Sequence, residues 1–492
     1  MSNVAVIGAG FGGLSASIRL ASEGYSVDLF EKQDFAGGKA GSIEVGGYRF
    51  DTGPSLLTMI HVFRDLFEAA GANFDERVAV KLLNPLCTYF YPDGIRLDSY
   101  SDPARFIDEV TAVLGEPEEN LDRFLDYSKN IYDAAAWLFL EHNLRNFRTY
   151  FNRRAIKSVM HLYKIDPFRT LDEANRSFFS DPKLVQLFDR YATYNGSSPY
   201  KAPATFNLIP HVEYGLGGFG VEGGIYAISQ ALLDLAEEKG VRVHLDTEVD
   251  SIIVEKRKVR GISAAGERQE YDAVISNADV IYTYDHLLEE PDAFWRKRYA
   301  DLEPSSSGLV FYWGMDRAFP ELGLHNIFFS SDYTKEFDQI FELGEVPEEP
   351  TIYINITSKT TPEDAPNGGE NWFILLNVPY DRGQDWKGEA EKARKAVLRR
   401  LEDQLDGGVE RHIAVEQVMT PLEIEKNTNS TYGSLYGISS NDVLAAFRRH
   451  PNRIKNPRGL YFCGGSSHPG GGMPLAILSG KIAANEVKLN HK

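Results

Sequence analysis

The chain opens on an unbroken apolar run, Val4 to Ile7, of the kind expected of a strand buried on both faces of a parallel sheet. It passes into Gly8-Ala9-Gly10-Phe11-Gly12-Gly13 and then a stretch with Leu14, Ile18 and Ala21 on one side, which reads as a helix. A second strand-like run, Val27 to Phe30, ends at Glu31. Far downstream, Gly223-Gly224 precedes Ile225, Ile228, Leu232 and Leu235 at helical spacing, and the pattern stops at Gly240. Val241–Val243, Thr247–Val249 and Asp272–Ile275 then read as strands, the last leading to Ser276-Asn277-Ala278-Asp279. Near the C-terminus, Leu460–Phe462 reads as a strand, followed by a glycine-rich loop. A helix through Ile477, Ile482 and Val487 comes next, with Pro474 in its first turn.

Between these segments the pattern changes twice. Leu309–Trp313, Asn326–Phe329, Thr351–Ile356 and Trp372–Val378 are rich in β-branched and aromatic residues and bounded by Gly, Pro and Asn. They predict a mostly antiparallel sheet, with a charged helix from about Gly388 to Leu405 on its outside. Residues 103–215 are helical in pattern, with aromatic side chains at Tyr132, Trp137, Phe139, Phe147, Tyr150, Phe151 and Tyr163. The chain has no internal repeat. The expected class is α/β, with a discontinuous Rossmann-like nucleotide domain at 1–75, 221–285 and 455–492. A substrate-binding sheet domain takes 76–102 and 286–454, and a helical, membrane-associating subdomain takes 103–220.

At 492 residues the chain has room for two or three such units, and 43% hydrophobic with 25% charged residues is ordinary for a folded protein. A net charge of -19 argues against nucleic acid as a partner, because phosphate binding needs a basic surface. One segment departs from that average. From His142 to Ile165, Arg145, Arg148, Arg153, Arg154, Lys157 and Lys164 occur without an acidic residue. Interleaved with aromatic residues, they read as an anchor on anionic lipid or as a solvated basic face. The cysteines, Cys87 and Cys463, form no framework, which suits a reducing cytoplasmic compartment. No leader or membrane-spanning run is expected.

The first glycine motif carries specific chemistry. Gly8 permits the tight turn, Gly10 lets the backbone approach a pyrophosphate, and Gly13 allows close packing of helix on strand. The pyrophosphate would sit at the helix N-terminus, where free N–H groups favour negative charge. Glu31 would accept hydrogen bonds from the ribose hydroxyls, and its carboxylate disfavours a 2′-phosphate. This motif leaves NAD and FAD both open.

The next residues bear on that choice. Gly37-Gly38-Lys39 and Asp51-Thr52-Gly53-Pro54-Ser55 resemble the extended signature of the amine oxidase and phytoene desaturase superfamily of flavoproteins. The resemblance implies FAD, held by Gly8 to Gly13, Glu31, Lys32, Gly37, Gly38, Lys39, Gly53, Pro54 and Ser55. It adds the Val249 backbone at the adenine, then Asn277, Ala278, Gly464, Gly465, Gly472, Met473 and Pro474. The last three open a helix suited to the flavin edge that gains negative charge on reduction.

His468-Pro469-Gly470-Gly471-Gly472-Met473-Pro474 is similar to the signature of bacterial phytoene desaturases. Asp51 to Met59 and Arg190 to Gly196 look most like the branch acting at C3–C4 of 1-hydroxylated carotenoids. Lys39, where arginine is common, departs from the pattern, as do Gly465 and Leu475. The resemblance implies a carotenoid substrate, a membrane surface, and oxygen or a quinone as electron acceptor. His468 is the candidate to take a proton or bond the flavin ring, or else simply holds its loop. Phytoene or diapophytoene desaturases, isomerases and saturases are the alternatives within the superfamily. An isoprenoid-binding GTPase regulator without flavin is the alternative outside it.

Overall fold

The computed structural model describes residues 2–143, 164–290, 293–366 and 368–491. Three distant stretches of chain meet in one five-stranded sheet. Its order is Leu460–Phe462, Ala273–Ser276, Asn3–Ile7, Ser26–Phe30, Arg242–His244, and every neighbouring pair is parallel. Val4 lies between Val27 and Ala273, and Val4, Ala5 and Val6 are fully buried. Both faces of this strand are covered, which is why its apolar run does not alternate. On one face pack the helices Phe11–Ala21, Tyr226–Glu238 and Met473–Asn490, through Leu14, Ile18, Leu232, Leu235 and Ile477. On the other lies a three-stranded antiparallel sheet, Val249–Glu255, Lys258–Ala264 and Glu267–Glu270, whose Ile252 and Ile262 meet Ala5 and Ile7. The strand expected at Thr247–Val249 begins only at Val249. The Thr247 N–H instead donates to the Glu31 carbonyl at 2.8 Å, which bends the chain across the sheet edge.

A second, seven-stranded sheet runs Ile413–Met419, Ser307–Met315, Glu370–Val378, Ile352–Ile356, His325–Phe328, Cys87–Phe90, Arg96–Ser99. It is antiparallel except where His325–Phe328 meets Cys87–Phe90. Alternation sorts its side chains strictly. Leu309, Phe311, Trp313, Ile352, Ile354, Trp372, Ile374 and Leu376 face the helix Trp386–Gln404 and bury its Trp386, Val397 and Leu401. Full burial of such side chains stabilises by about 1.5–3 kcal/mol each. The intervening residues, Val310, Tyr312, Tyr353, Phe373 and Leu375, face the opposite way into a cavity. The charged helix expected on the outside of the sheet is therefore present, two residues longer at its start.

The described part of 103–220 is helical, including Pro103–Leu114, Glu118–Glu141 and Pro182–Asp189. Asp102 and Asp181 start two of these helices, each accepting a backbone N–H ahead of a first-turn proline. Of the basic island, Arg145, Arg148, Arg153, Arg154 and Lys157 lie outside the described residues, as do Phe147, Tyr150, Phe151 and Tyr163. Among the described residues no helix is long and apolar enough to cross a membrane.

Candidate functional site

A cavity of about 1330 Å³ runs from the carboxyl edge of the parallel sheet to the open face of the seven-stranded one. Its first end is built of backbone. Gly8, Gly10, Phe11 and Gly12 line it, as do Gly37, Gly38, Gly464, Gly465 and Gly472. A Cβ on Gly12 would lie 2.7 Å from the Gly464 nitrogen, so the two glycine loops can adjoin only while that side chain is absent. Two expected contacts lie behind this surface. Gly13 packs on the Gly8 carbonyl, which a Cβ would approach to 2.0 Å. Ala9 is buried and donates its N–H to Glu31 Oε2 at 2.7 Å.

The structure tests whether a dinucleotide fits. The helices Phe11–Ala21 and Met473–Asn490 both start on the cavity, and neither has a side-chain cap or an acidic residue in its first turn. Such ends present N–H groups and positive dipole to an anion. Met473 and Pro474 line the cavity at the second of them, and Gly472 takes φ 104°, a left-handed conformation natural to glycine. Glu31 stands on the wall, and burial pushes its pKa up despite the Ala9 and Gln33 N–H groups it accepts. Val249, Asn277 and Ala278 line the same region, and Asn277 Nδ2 donates to the Gly8 carbonyl at 3.2 Å. Two uncapped helix starts, the Glu31 carboxylate on the wall and a glycine-lined groove suit a flavin dinucleotide.

Both motif lysines line the cavity, with their ammonium groups hydrogen-bonded within the protein. Lys32 Nζ donates to the Lys426 carbonyl at 2.8 Å and to Asn429 Oδ1 at 2.7 Å. Lys39 Nζ donates to the carbonyls of Ser434 and Leu435 at 3.1 and 2.7 Å. Burial lowers the Lys39 pKa to about 8, against the pull of the Asp279 carboxylate. Gly53, Pro54 and Ser55 also line the cavity. Asp51, just before them, accepts from the Ile225 N–H at 2.7 Å and pairs with Arg49 at 2.6 Å. It thereby pins the Gly223-Gly224 turn to the nucleotide end, a link the motifs did not disclose.

His468 lines the cavity, but its Nε2 lies 2.9 Å from the His142 carbonyl, to which it donates. Its own carbonyl accepts from Asn452 and Ser479 at 2.8 and 2.7 Å. The Nε2 contact ties the glycine loop to the residue that follows the helix Glu118–Glu141.

The other end of the cavity is built of side chains. Val310, Tyr312, Phe373, Leu375, Phe206 and Ile209 make it apolar. Polar groups are set into this wall. Glu213 accepts from Tyr191 at 2.6 Å and from Tyr194, and sits 3.7 Å from Arg190, whose guanidinium lies 4.4 Å over the Tyr191 ring. His325 and Tyr353 stand on neighbouring strands. Motif reading missed both residues and Glu213. The alternation in Thr351-Ile352-Tyr353-Ile354-Asn355-Ile356 was the available signal for Tyr353.

Comparison with known proteins agrees along the whole chain. The model of the family described as flavin containing amine oxidoreductase matches residues 11–488. A 1-hydroxycarotenoid 3,4-desaturase of Flavobacterium sp. (strain P99-3) is 44% identical over 486 residues, covering 99% of each chain. A 4,4'-diapolycopene oxygenase of Methylomonas sp. is 38% identical, covering 98% of this chain and 97% of that one. Among solved structures, putrescine oxidase bound to putrescine has a TM-score of 0.63 at 16% identity, covering 99% of each chain. An oxidoreductase of Methanosarcina mazei has a TM-score of 0.64 at 19% identity, covering 98% of this chain and 100% of that one. Those two likenesses establish the fold, and the family match with the glycine-walled groove establishes the rest: the chain belongs to the flavin-containing amine oxidoreductase family and is an FAD-dependent oxidoreductase.

Proposed function

We propose that this protein desaturates a carotenoid, introducing a C=C bond at C3–C4 of a 1-hydroxylated polyene drawn from a membrane surface. The observation that carries the reading is the cavity itself, a long apolar channel leading from the flavin groove along the face of the seven-stranded sheet. The full-length relationship to a 1-hydroxycarotenoid 3,4-desaturase supports the choice of substrate.

Bound FAD supplies the acceptor for a hydride. Loss of hydride beside a polyene leaves a positive charge spread along the chain, so the neighbouring C–H proton becomes acidic and a weak base or water suffices to take it. The substrate thus loses two hydrogens, and oxygen or a quinone takes the electrons onward. The protein's own task is to hold the chain and exclude water. The cavity face of the sheet does this with Val310, Tyr312, Phe373 and Leu375, while the opposite face stays in the core.

The mouth of the cavity supports peripheral attachment to a membrane. Phe168, 90% exposed, lines the cavity, as do Val443, Leu444 and Phe447, each more than two-fifths exposed. Phe139, at the end of the helix that leads into the basic island, packs edge-on against Phe447 at 5.5 Å. Exposed apolar side chains on the cavity wall, in a chain whose His142–Ile165 stretch is basic, suit an anionic bilayer on the cytoplasmic side.

The test is incubation with FAD and a 1-hydroxylated carotenoid in liposomes. A red-shifted product two hydrogens lighter is expected. A product of unchanged mass means an isomerase, and a heavier one means a saturase or an oxygenase. Conversion restricted to unhydroxylated carotenes would move the substrate to the phytoene type.

A further inference from the structure

The cavity wall offers an incomplete hydrogen-bond chain. Tyr353 Oη lies 2.7 Å from His325 Nδ1 and 2.5 Å from Ser55 Oγ. Asn355 Nδ2, which only donates, also approaches His325 Nδ1 at 3.2 Å. Nδ1 therefore accepts, and the ring proton belongs on Nε2. The ring is neutral, because burial and the nearby Arg190 charge push its pKa down to about 3. Its Nε2 is buried and has no hydrogen-bond partner among the described residues. Such a donor is costly unless something else completes it.

We propose that Ser55, Tyr353 and His325 form a hydroxyl-binding subsite that takes the alcohol end of the polyene and sets the adjoining carbons at the flavin. This rests on the desaturase reading above and names how its substrate is chosen. With Ser55 donating to Tyr353 and Tyr353 to His325, the His325 Nε2–H is left to meet the substrate oxygen. Lone pairs on Ser55 Oγ or Tyr353 Oη remain for the substrate's own hydroxyl proton. An alcohol needs both a donor and an acceptor, and a hydrocarbon terminus completes neither.

The position suits the chemistry. In a chain hydroxylated at C1, the C3–C4 bond starts two carbons from the carbinol carbon, so the anchor has to lie close to the reacting centre. Ser55 is two residues beyond Gly53, where a Cβ would lie 2.2 Å from the carbonyl of Lys39 in the glycine-pair segment. Ser55 and that segment line one cavity.

The test compares kcat/KM for a 1-hydroxylated carotenoid and its 1-deoxy counterpart of equal length, in wild type and in His325→Phe, His325→Gln and Tyr353→Phe. Wild type is expected to favour the alcohol at least about tenfold, since a site built to bond a hydroxyl rejects the analogue lacking it. His325→Phe and Tyr353→Phe should collapse that ratio, and His325→Gln, which keeps an N–H donor, should restore part of it. A ratio unchanged in both Phe variants, with equal losses on the two substrates, overturns the subsite. A binding arm separates this from the reaction itself: quenching of intrinsic fluorescence by a saturated tertiary isoprenoid alcohol and by its alkane. If wild type desaturates nothing yet binds the alcohol better, with the preference lost in His325→Phe, the reaction assignment falls and the subsite stands. Equal binding of alcohol and alkane by wild type sinks the subsite whatever the turnover.

Discussion

The two ends of the cavity recognise their occupants by opposite means. At the nucleotide end the wall is main chain: a Cβ on Gly12 has no room against Gly464 from the far end of the chain, nor one on Gly13 against Gly8. At the polyene end the wall is side chain, set on a sheet whose other face is packed core. The difference teaches where tolerance lies. A backbone wall admits almost no substitution, because its shape is the absence of side chains. A side-chain wall admits many at its apolar sheet positions, because the fold is secured on the reverse face, and its buried Glu213–Arg190 pair is the exception.

The sharpest way to break this contrast is to disturb the polar groups set into the polyene end. Glu213→Ala removes the carboxylate opposite the buried Arg190 and strands that charge, at a cost of about 3–5 kcal/mol. Urea unfolding checks this. A cost below about 1 kcal/mol would show that the cavity solvates Arg190 and that this wall is looser than described.

The next test sets the two faces of one strand against each other. Ile374→Ala, on the fully buried face, is expected to cost about 3 kcal/mol. Leu375→Ala, on the cavity face, should cost about 1 kcal/mol and instead change the polyene preference. Equal costs would deny the division of labour.

At the nucleotide end, Gly13→Ala drives a methyl onto the Gly8 carbonyl, with an expected loss of about 2 kcal/mol and much weaker flavin retention. Flavin absorbance after gel filtration reads the second effect. Full retention would mean that the backbone wall can move aside.

The smallest effect is a pH dependence. The Lys39 pKa falls to about 8 in the folded apoprotein and returns near 10.5 on unfolding. Between those values the unfolded chain binds the extra proton, so this lysine's penalty on stability fades as pH rises. Below pH 8 it is charged in both states and the penalty is complete. The Tm of wild-type apoprotein relative to Lys39→Met should therefore rise by a few degrees from pH 7.5 to 9.5. A flat difference would place Lys39 in contact with water.

The same contrast governs how much the chain discloses before folding. Backbone recognition demands glycine at set spacing, so Gly8 to Gly13, Glu31 and the loop Gly464 to Pro474 were legible as a nucleotide groove. The strands Ser307–Met315, Ile352–Ile356 and Glu370–Val378 were legible too, from their apolar and aromatic density. Their two faces were not told apart, because both carry large side chains: Trp313 points to the helix and Tyr312 to the cavity. Nor could spacing pair His325 with Tyr353, or Asp51 with the Ile225 N–H, since those contacts join segments far apart in the chain. His468 lines the cavity as its loop suggests, and only the fold shows its Nε2 donating to the His142 carbonyl.

The alternation of the seven-stranded sheet has a consequence for inheritance. Adjacent codons in one strand answer to different selective pressures, Ile374 to foldability and Leu375 to diet. A lineage can therefore drift toward chains with other end groups by changing the alternate, cavity-facing residues Tyr353, Phe373, Leu375 and Asn377, without first acquiring surplus stability. A library randomised at those alternate positions would sample new specificities from a population that still folds.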